Sequence, residues 1–181
     1  ADVPAAVREV VASKFRNAGQ TCVCANRIYV HASIADEFTV LLATATDALR
    51  VGDPLDPETQ VGPLVDDAAV AKVESHVTDA LARGAAICAG GARRDGRYFS
   101  PTVLTGVAPG MRILEEETFG PIAPLVRFER DAEAVTAANG TPFGLAASVW
   151  TENINLALDI APRIKAGVVW VNATNLFDAA A

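Results

Sequence analysis

The chain is short of positive charge. Fifteen Lys and Arg stand against 22 Asp and Glu, for a formal net charge of -7 and a sequence pI of about 4.8. That balance argues against a nucleic-acid or anionic-membrane surface, which needs clustered cations. Cysteine is scarce and odd in number, at Cys22, Cys24 and Cys88. Three thiols make no disulfide framework; they fit a reducing cytoplasm that keeps one or two for chemistry. His31 and His76 are isolated and far apart, and with the cysteines they give no zinc-site spacing. No metal is expected, and the histidines read as surface or structural. No uninterrupted apolar run is long enough for a membrane helix. The glycines at 84, 90–91 and 96 read as turns, and none has the spacing of a dinucleotide fingerprint. Ala1-Asp2-Val3-Pro4 has no initiator Met, no basic n-region and no apolar h-region. Asp178-Ala179-Ala180-Ala181 ends without a cap or a charged tail. Both ends read as cuts, so the expectation is one domain excised from a longer protein.

What is present suits a globular core. The 181 residues are 51% hydrophobic and 20% charged, enough to fold without a disulfide or metal staple. Strand and helix patterns alternate along the chain. Residues 2–18 carry a helical stripe of Val3, Val7, Val10, Val11 and Phe15, with Asp2 as N-cap and Pro4 in the first turn. Further helices are predicted over 34–50, 66–83, 131–139 and 153–165. The last would turn Ile154, Leu158, Ala161 and Ile164 inward. Strands are predicted over 27–31, 85–89, 122–128, 146–151 and 168–171, with an extended stretch over 98–107. The 85–89 strand reads as buried, with Cys88 in the core. Repeated strand–helix units with Val-rich strands predict an α/β fold: a mainly parallel sheet with helices on both faces, in three αβα layers.

The candidate chemistry starts at Gly19-Gln20-Thr21-Cys22, between a helix and a strand. A turn there can expose a side chain at the sheet edge, where sites form. A thiolate attacks carbonyl carbon without a strong base. A free cysteine is also commonly a small buried hydrophobe, and position alone leaves both readings open. The string FRNAGQTCVCANRIYVH resembles the nucleophile segment of the aldehyde dehydrogenase superfamily at its Phe, its Gly-Gln pair and its Cys. VGDPLDPETQVGPLVD, EEETFGPIAPL, NGTPFGLAASVWT and GVVWVN resemble further segments of that family, in the same order. The resemblance covers nearly the whole chain, and it makes residues 1–181 the family's catalytic domain.

The resemblance implies a mechanism. Cys22 adds to an aldehyde to give a thiohemiacetal, hydride leaves to NAD or NADP, and water releases the acid from the thioester. The backbone N–H of Cys22 would hold part of the oxyanion. The family's general base, in a Glu-Leu-Gly-Gly motif, and its second oxyanion donor, an asparagine, have no counterpart in these residues. Neither do its cofactor-binding domain and its C-terminal oligomerisation segment. The implied partners are an aldehyde, that missing domain, and further copies in a dimer or tetramer.

Glu115-Glu116-Glu117 would ordinarily be a solvated face. By resemblance, Glu117 accepts from the nicotinamide-ribose hydroxyls and Phe119 packs near the nicotinamide. Both carboxylate oxygens are acceptors, which suits paired hydroxyls. Arg16 taken alone is a solvated cation near a helix C-terminus. The segment most resembles the succinate-semialdehyde branch, in which an arginine at this offset grips the substrate's distal carboxylate through a bidentate fork. Cys24 fits the same branch as a possible redox partner of Cys22, although residues two apart on an extended chain sit near the limit for a disulfide. Thr21 and Val23 flank the nucleophile and would shape the aldehyde tunnel. Asn175-Leu176-Phe177 departs from the branch toward the generic family pattern, with Phe177 as an aromatic tunnel wall. A broad aldehyde dehydrogenase for uncharged substrates is therefore the alternative. A non-catalytic thiol or scaffold domain is the alternative from another class.

Overall fold

The computed structural model describes residues 1–176. Helix α1 (Val3–Lys14) begins as the sequence predicts: the Asp2 carboxylate accepts from the Ala5 N–H at 2.9 Å, and Pro4 lies in the first turn. The remaining helices are α2 (Ala35–Asp47), α3 (Asp67–Ala82), α4 (Arg112–Glu115), α5 (Asp131–Asn139) and α6 (Ile154–Ile160). The strands are β1 (Ile28–His31), β2 (Ala86–Ala89), β3 (Thr102–Thr105), β4 (Ile122–Phe128), β5 (Ala146–Val149) and β6 (Val168–Val171).

Four strands form one sheet in the order β1-β4-β3-β2. β1 and β3 pair parallel to β4, and β2 joins β3 antiparallel as an edge. Val103 and Leu104 on β3, and Ile122 and Ala123 on β4, are all 0% exposed. Successive strand residues point to opposite faces, so both faces of this sheet are covered. α2 packs against β1, β2 and β3, with α1 packed on α2; α3 packs against β2 and α4. β5 and β6 form a separate two-stranded parallel sheet.

The structure corrects several boundaries and faces. The predicted helix over 153–165 is α6 followed by a 3-10 turn over Ala161–Arg163. Pro162 lacks the N–H that a continuing helix would use. Ile154 and Leu158 are 65% and 68% exposed rather than inward; Ala157 is the buried residue of that helix. Cys88 is exposed, not core, because β2 is an edge strand with only Ala89 buried; its sulfur lies 3.3 Å from Thr105 Oγ1. The short helix α4 falls in a stretch that carries no helical stripe, and Arg112 and Glu116 clasp across it.

Candidate active site

The turn that leads to Cys22 is built by unusual backbone. α1 ends at Phe15, and the next residues wind into a 3-10 turn in which Asn17, Ala18 and Gly19 all have positive φ, at 51°, 55° and 73°. Asparagine and glycine tolerate this region; Ala18 is strained there and is held by burial at 1% exposure. Gly19 has a second reason to be glycine. A Cβ on it would lie 2.1 Å from the carbonyl oxygen of Gly120. The cysteine segment and the Glu117–Phe119 segment therefore meet backbone to backbone.

Gln20 ties the turn to a third segment. Its amide nitrogen donates to the carbonyls of Asn17 at 3.0 Å and Pro63 at 3.3 Å, and its amide oxygen accepts from the Val65 N–H at 2.8 Å. Beyond it, Cys22 is exposed. Cys24 is half-buried, and its thiol contacts the Ser13 carbonyl and Thr21 Oγ1, both at 3.0 Å. A bridge to Cys22 would cost Cys24 both contacts. Thr21 also donates to the Arg16 carbonyl at 3.4 Å, and Val23 is half-buried.

The structure brings Asn17, Gln20 and Phe119 together. With Pro63, Leu64, Val65 and Arg97 they line a cleft of about 430 Å³. Phe119 has φ 51° and stands 38% exposed. Glu117 is exposed beside it. Arg16 is not in this cleft. It lines a second one, of about 340 Å³, with Arg8, Val11, Ala12, Phe15, Leu49 and Gln60. Phe177 lies outside the described residues.

Several residues here carry no obvious motif. Lys14 is 1% exposed at the end of α1. Burial pushes its ammonium down to about 8, opposed by Cys24 and then Glu117. His76 is fully buried, the structural role its isolation suggested. Its Nε2 lies 3.1 Å from Glu116 Oε2 and its Nδ1 lies 3.1 Å from Thr118 Oγ1. Burial pushes the imidazole below its ordinary value, and the Glu116 contact opposes this. Arg112 reaches Glu116 through Nε at 2.7 Å and Nη2 at 3.1 Å. Those bonds, with His76 next, hold the Glu116 carboxyl down to about 2. An ionised carboxylate only accepts, so His76 carries its proton on Nε2 and Nδ1 accepts from the Thr118 hydroxyl. Asn26 donates to the Glu116 carbonyl at 3.2 Å and accepts from the Thr118 N–H at 3.1 Å. Among the described residues no cluster of three or more His, Cys, Asp or Glu is arranged to hold a metal, and no helix is long and apolar enough to cross a membrane.

Comparison with known proteins supplies the context for this geometry. The sequence profile of the Aldehyde dehydrogenase family matches residues 1–181. The chain is 45% identical over 174 residues to the NADP(+) succinate-semialdehyde dehydrogenase of Escherichia coli (strain K12), covering 95% of the chain and 36% of that protein. It is 48% identical over 174 residues to a 3-sulfolactaldehyde dehydrogenase of Pseudomonas putida, with the same coverage. Among solved structures, succinate-semialdehyde dehydrogenase from Burkholderia pseudomallei superposes with a TM-score of 0.97 at 47% identity, over 100% of this chain and 38% of that one. The chain thus spans about 36% of the length of the curated relatives it matches.

Proposed function

The chain belongs to the aldehyde dehydrogenase family, and from that premise we propose that residues 1–181 are the nucleophile-bearing domain of an NAD(P)-dependent enzyme oxidising an aldehyde to a carboxylic acid. One observation carries this reading. An exposed cysteine follows a left-handed turn whose Gly19 backbone packs on Gly120, beside an outward-facing Phe119 and Glu117.

In this reading the Cys22 sulfur adds to the aldehyde carbon, and the carbonyl electrons move onto oxygen. The backbone N–H of Cys22 donates to that oxyanion. Thr21 and Val23 shape the approach. After oxidation the carbon is a thioester on Cys22; water attacks it, the carbon–sulfur bond breaks, and the thiol is regenerated as the acid leaves. The glutamate base for that water and the second oxyanion donor belong to segments outside these residues. The residues present fit a nicotinamide nucleotide: an outward carboxylate suits paired hydroxyls, and an exposed aromatic face lining a cleft suits a flat ring. Glu117 and Phe119 would hold it. When bound, that group supplies the hydride acceptor.

The substrate we favour is succinate semialdehyde. The relatives' named substrates, succinate semialdehyde and 3-sulfolactaldehyde, share an anionic distal group. Arg16 is the cation that would take it. A second reading, a broad enzyme for uncharged aldehydes, draws on the placement of Arg16 in a cleft apart from Phe119. The exposed apolar residues of β6 and α6, with Phe143 and Leu145 just before β5, suit cover by the rest of the enzyme or by another copy in a dimer or tetramer.

The test uses an assembled enzyme, in which this chain is joined to the remaining segments of a dehydrogenase, its own or those of the Escherichia coli relative. Cys22→Ala is expected to abolish aldehyde-dependent reduction of NAD(P), while Cys24→Ala keeps most of it. Equal loss in both would defeat the assignment. The 181-residue chain alone is expected to show no such reduction; turnover near the assembled rate would overturn the domain proposal. Arg16→Ala should raise KM about tenfold for succinate semialdehyde and leave neutral aldehydes unaffected. An equal change for neutral aldehydes would favour the broad enzyme.

A further inference from the structure

The residues around Glu117 alternate in exposure. Glu116 is half-buried and Thr118 is buried, whereas Glu117 and Phe119 face out. The two neighbours of Glu117 are pinned from several directions. His76, fully buried, spans both of their side chains. Arg112 grips Glu116 from α4. Gly120, next along, abuts the Gly19 backbone. The carboxylate of Glu117 itself accepts no hydrogen bond from the described residues.

Asn26 completes this arrangement from the other side. It lies 90 residues before Glu116 in sequence and 92 before Thr118. A single carboxamide has both donors and an acceptor, so it can bond a C=O and an N–H together. Here the two groups belong to the residues immediately before and after Glu117. The contact fixes that short stretch as a ladder rung fixes a strand. Asn26 is itself held, because it stands at the entry to β1, which pairs with β4 over four residues. The same asparagine lies four residues after Cys22, so the nucleophile segment and the Glu117 segment share one anchor.

We propose that Asn26 is a positioning residue that sets the Glu117 carboxylate for the paired hydroxyls of a ribose by clamping the peptide groups on both sides of it. The proposal rests on the reading of Glu117 as a ribose ligand given above. A carboxylate that must meet two hydroxyls at once is sensitive to displacements of about 1 Å. Removing the clamp leaves the charge in place and loosens its aim.

The experiment is a double-mutant cycle in the assembled enzyme, read by fluorescence titration of NADPH, with NADH in parallel, and by hydrogen exchange at the Thr118 amide without cofactor. Asn26→Ala is expected to weaken NADPH binding about tenfold and to speed Thr118 exchange, with the aldehyde KM within about twofold of the parent. Glu117→Gln should weaken binding at least as much. The double variant should bind no more weakly than Glu117→Gln alone, because Asn26 acts through Glu117. Unchanged NADPH affinity in Asn26→Ala despite faster Thr118 exchange would overturn the proposal. So would fully additive losses in the double variant. If Glu117→Gln leaves affinity unchanged, the reading of Glu117 fails first and takes this proposal with it. If Asn26→Ala does not fold, Asn26→Ser keeps one hydrogen-bonding group, and about a threefold loss is expected; no loss there would also overturn the proposal.

Discussion

β3 reads Thr-Val-Leu-Thr and β6 reads Val-Val-Trp-Val, both good strand sequences. Val103 and Leu104 on β3 are fully buried, whereas Val168 and Val171 on β6 are 45% and 40% exposed. The difference lies in the covering layers. The four-stranded sheet has α2 and α3 packed on it. Next to the β5–β6 pair, α6 turns Ile154 and Leu158 outward. Strand formation is thus local, while burial depends on what lies above and below. The candidate site follows the same division. Cys22, Glu117 and Phe119 sit on loops fastened to the covered sheet, where Gln20, Asn26, His76 and the Gly19–Gly120 contact hold them.

Four variants break or sharpen this contrast. Gly19→Ala should have the largest effect. It forces a Cβ against the Gly120 carbonyl at a positive φ, and a loss on the order of 4 kcal/mol is expected in urea unfolding. A loss under about 1 kcal/mol would mean the two loops are not locked together. Leu104→Ala, in the covered sheet, should cost about 3 kcal/mol by the same measurement.

Lys14→Met should go the other way. The folded pKa of Lys14 is lowered from 10.5 to about 8. Below about pH 8 both states hold the proton, and the burial penalty is constant. Between about 8 and 10.5 the folded state has released it and the unfolded state has not, so stability rises with pH. The variant should therefore be more stable at pH 7, by up to about 3 kcal/mol, with the advantage shrinking as pH rises toward 10.5. A pH-independent difference would remove Lys14 as the titrating group. Leu158→Ala, on the exposed side, should change stability by less than about 0.5 kcal/mol. A cost like that of Leu104→Ala would erase the contrast between the two regions.

Much of this was legible in the sequence. α1 was visible because Asp2 caps it and Val3, Val7 and Val10 repeat at helical spacing; the burial of Lys14 was not, because a lysine in the last turn of a helix ordinarily reads as a solvated cation. The order of β1, β4 and β3 was not legible, because pairing between distant strands leaves no local signal. α6 misled because its apolar residues describe an inward face, while no layer among the described residues covers that face. At the candidate site, the residues proposed to react stand in recognisable motifs, and the residues that hold them do not. Asn26 reads as an ordinary polar residue before a strand; its partners lie 90 residues away. The double role of His76 depends equally on a distant segment.

The proposed thioester on Cys22, formed by oxidation of its aldehyde adduct, is tested most directly by rapid quenching of the assembled enzyme during turnover of succinate semialdehyde with NADP, followed by fragmentation mass spectrometry. Fragmentation is needed because Cys22 and Cys24 share a peptide. A succinyl adduct on the Cys22 sulfur, absent in Cys22→Ala, is the expected result. An adduct on Cys24 or Cys88, or continued turnover with no adduct on Cys22 in any time point, would contradict it.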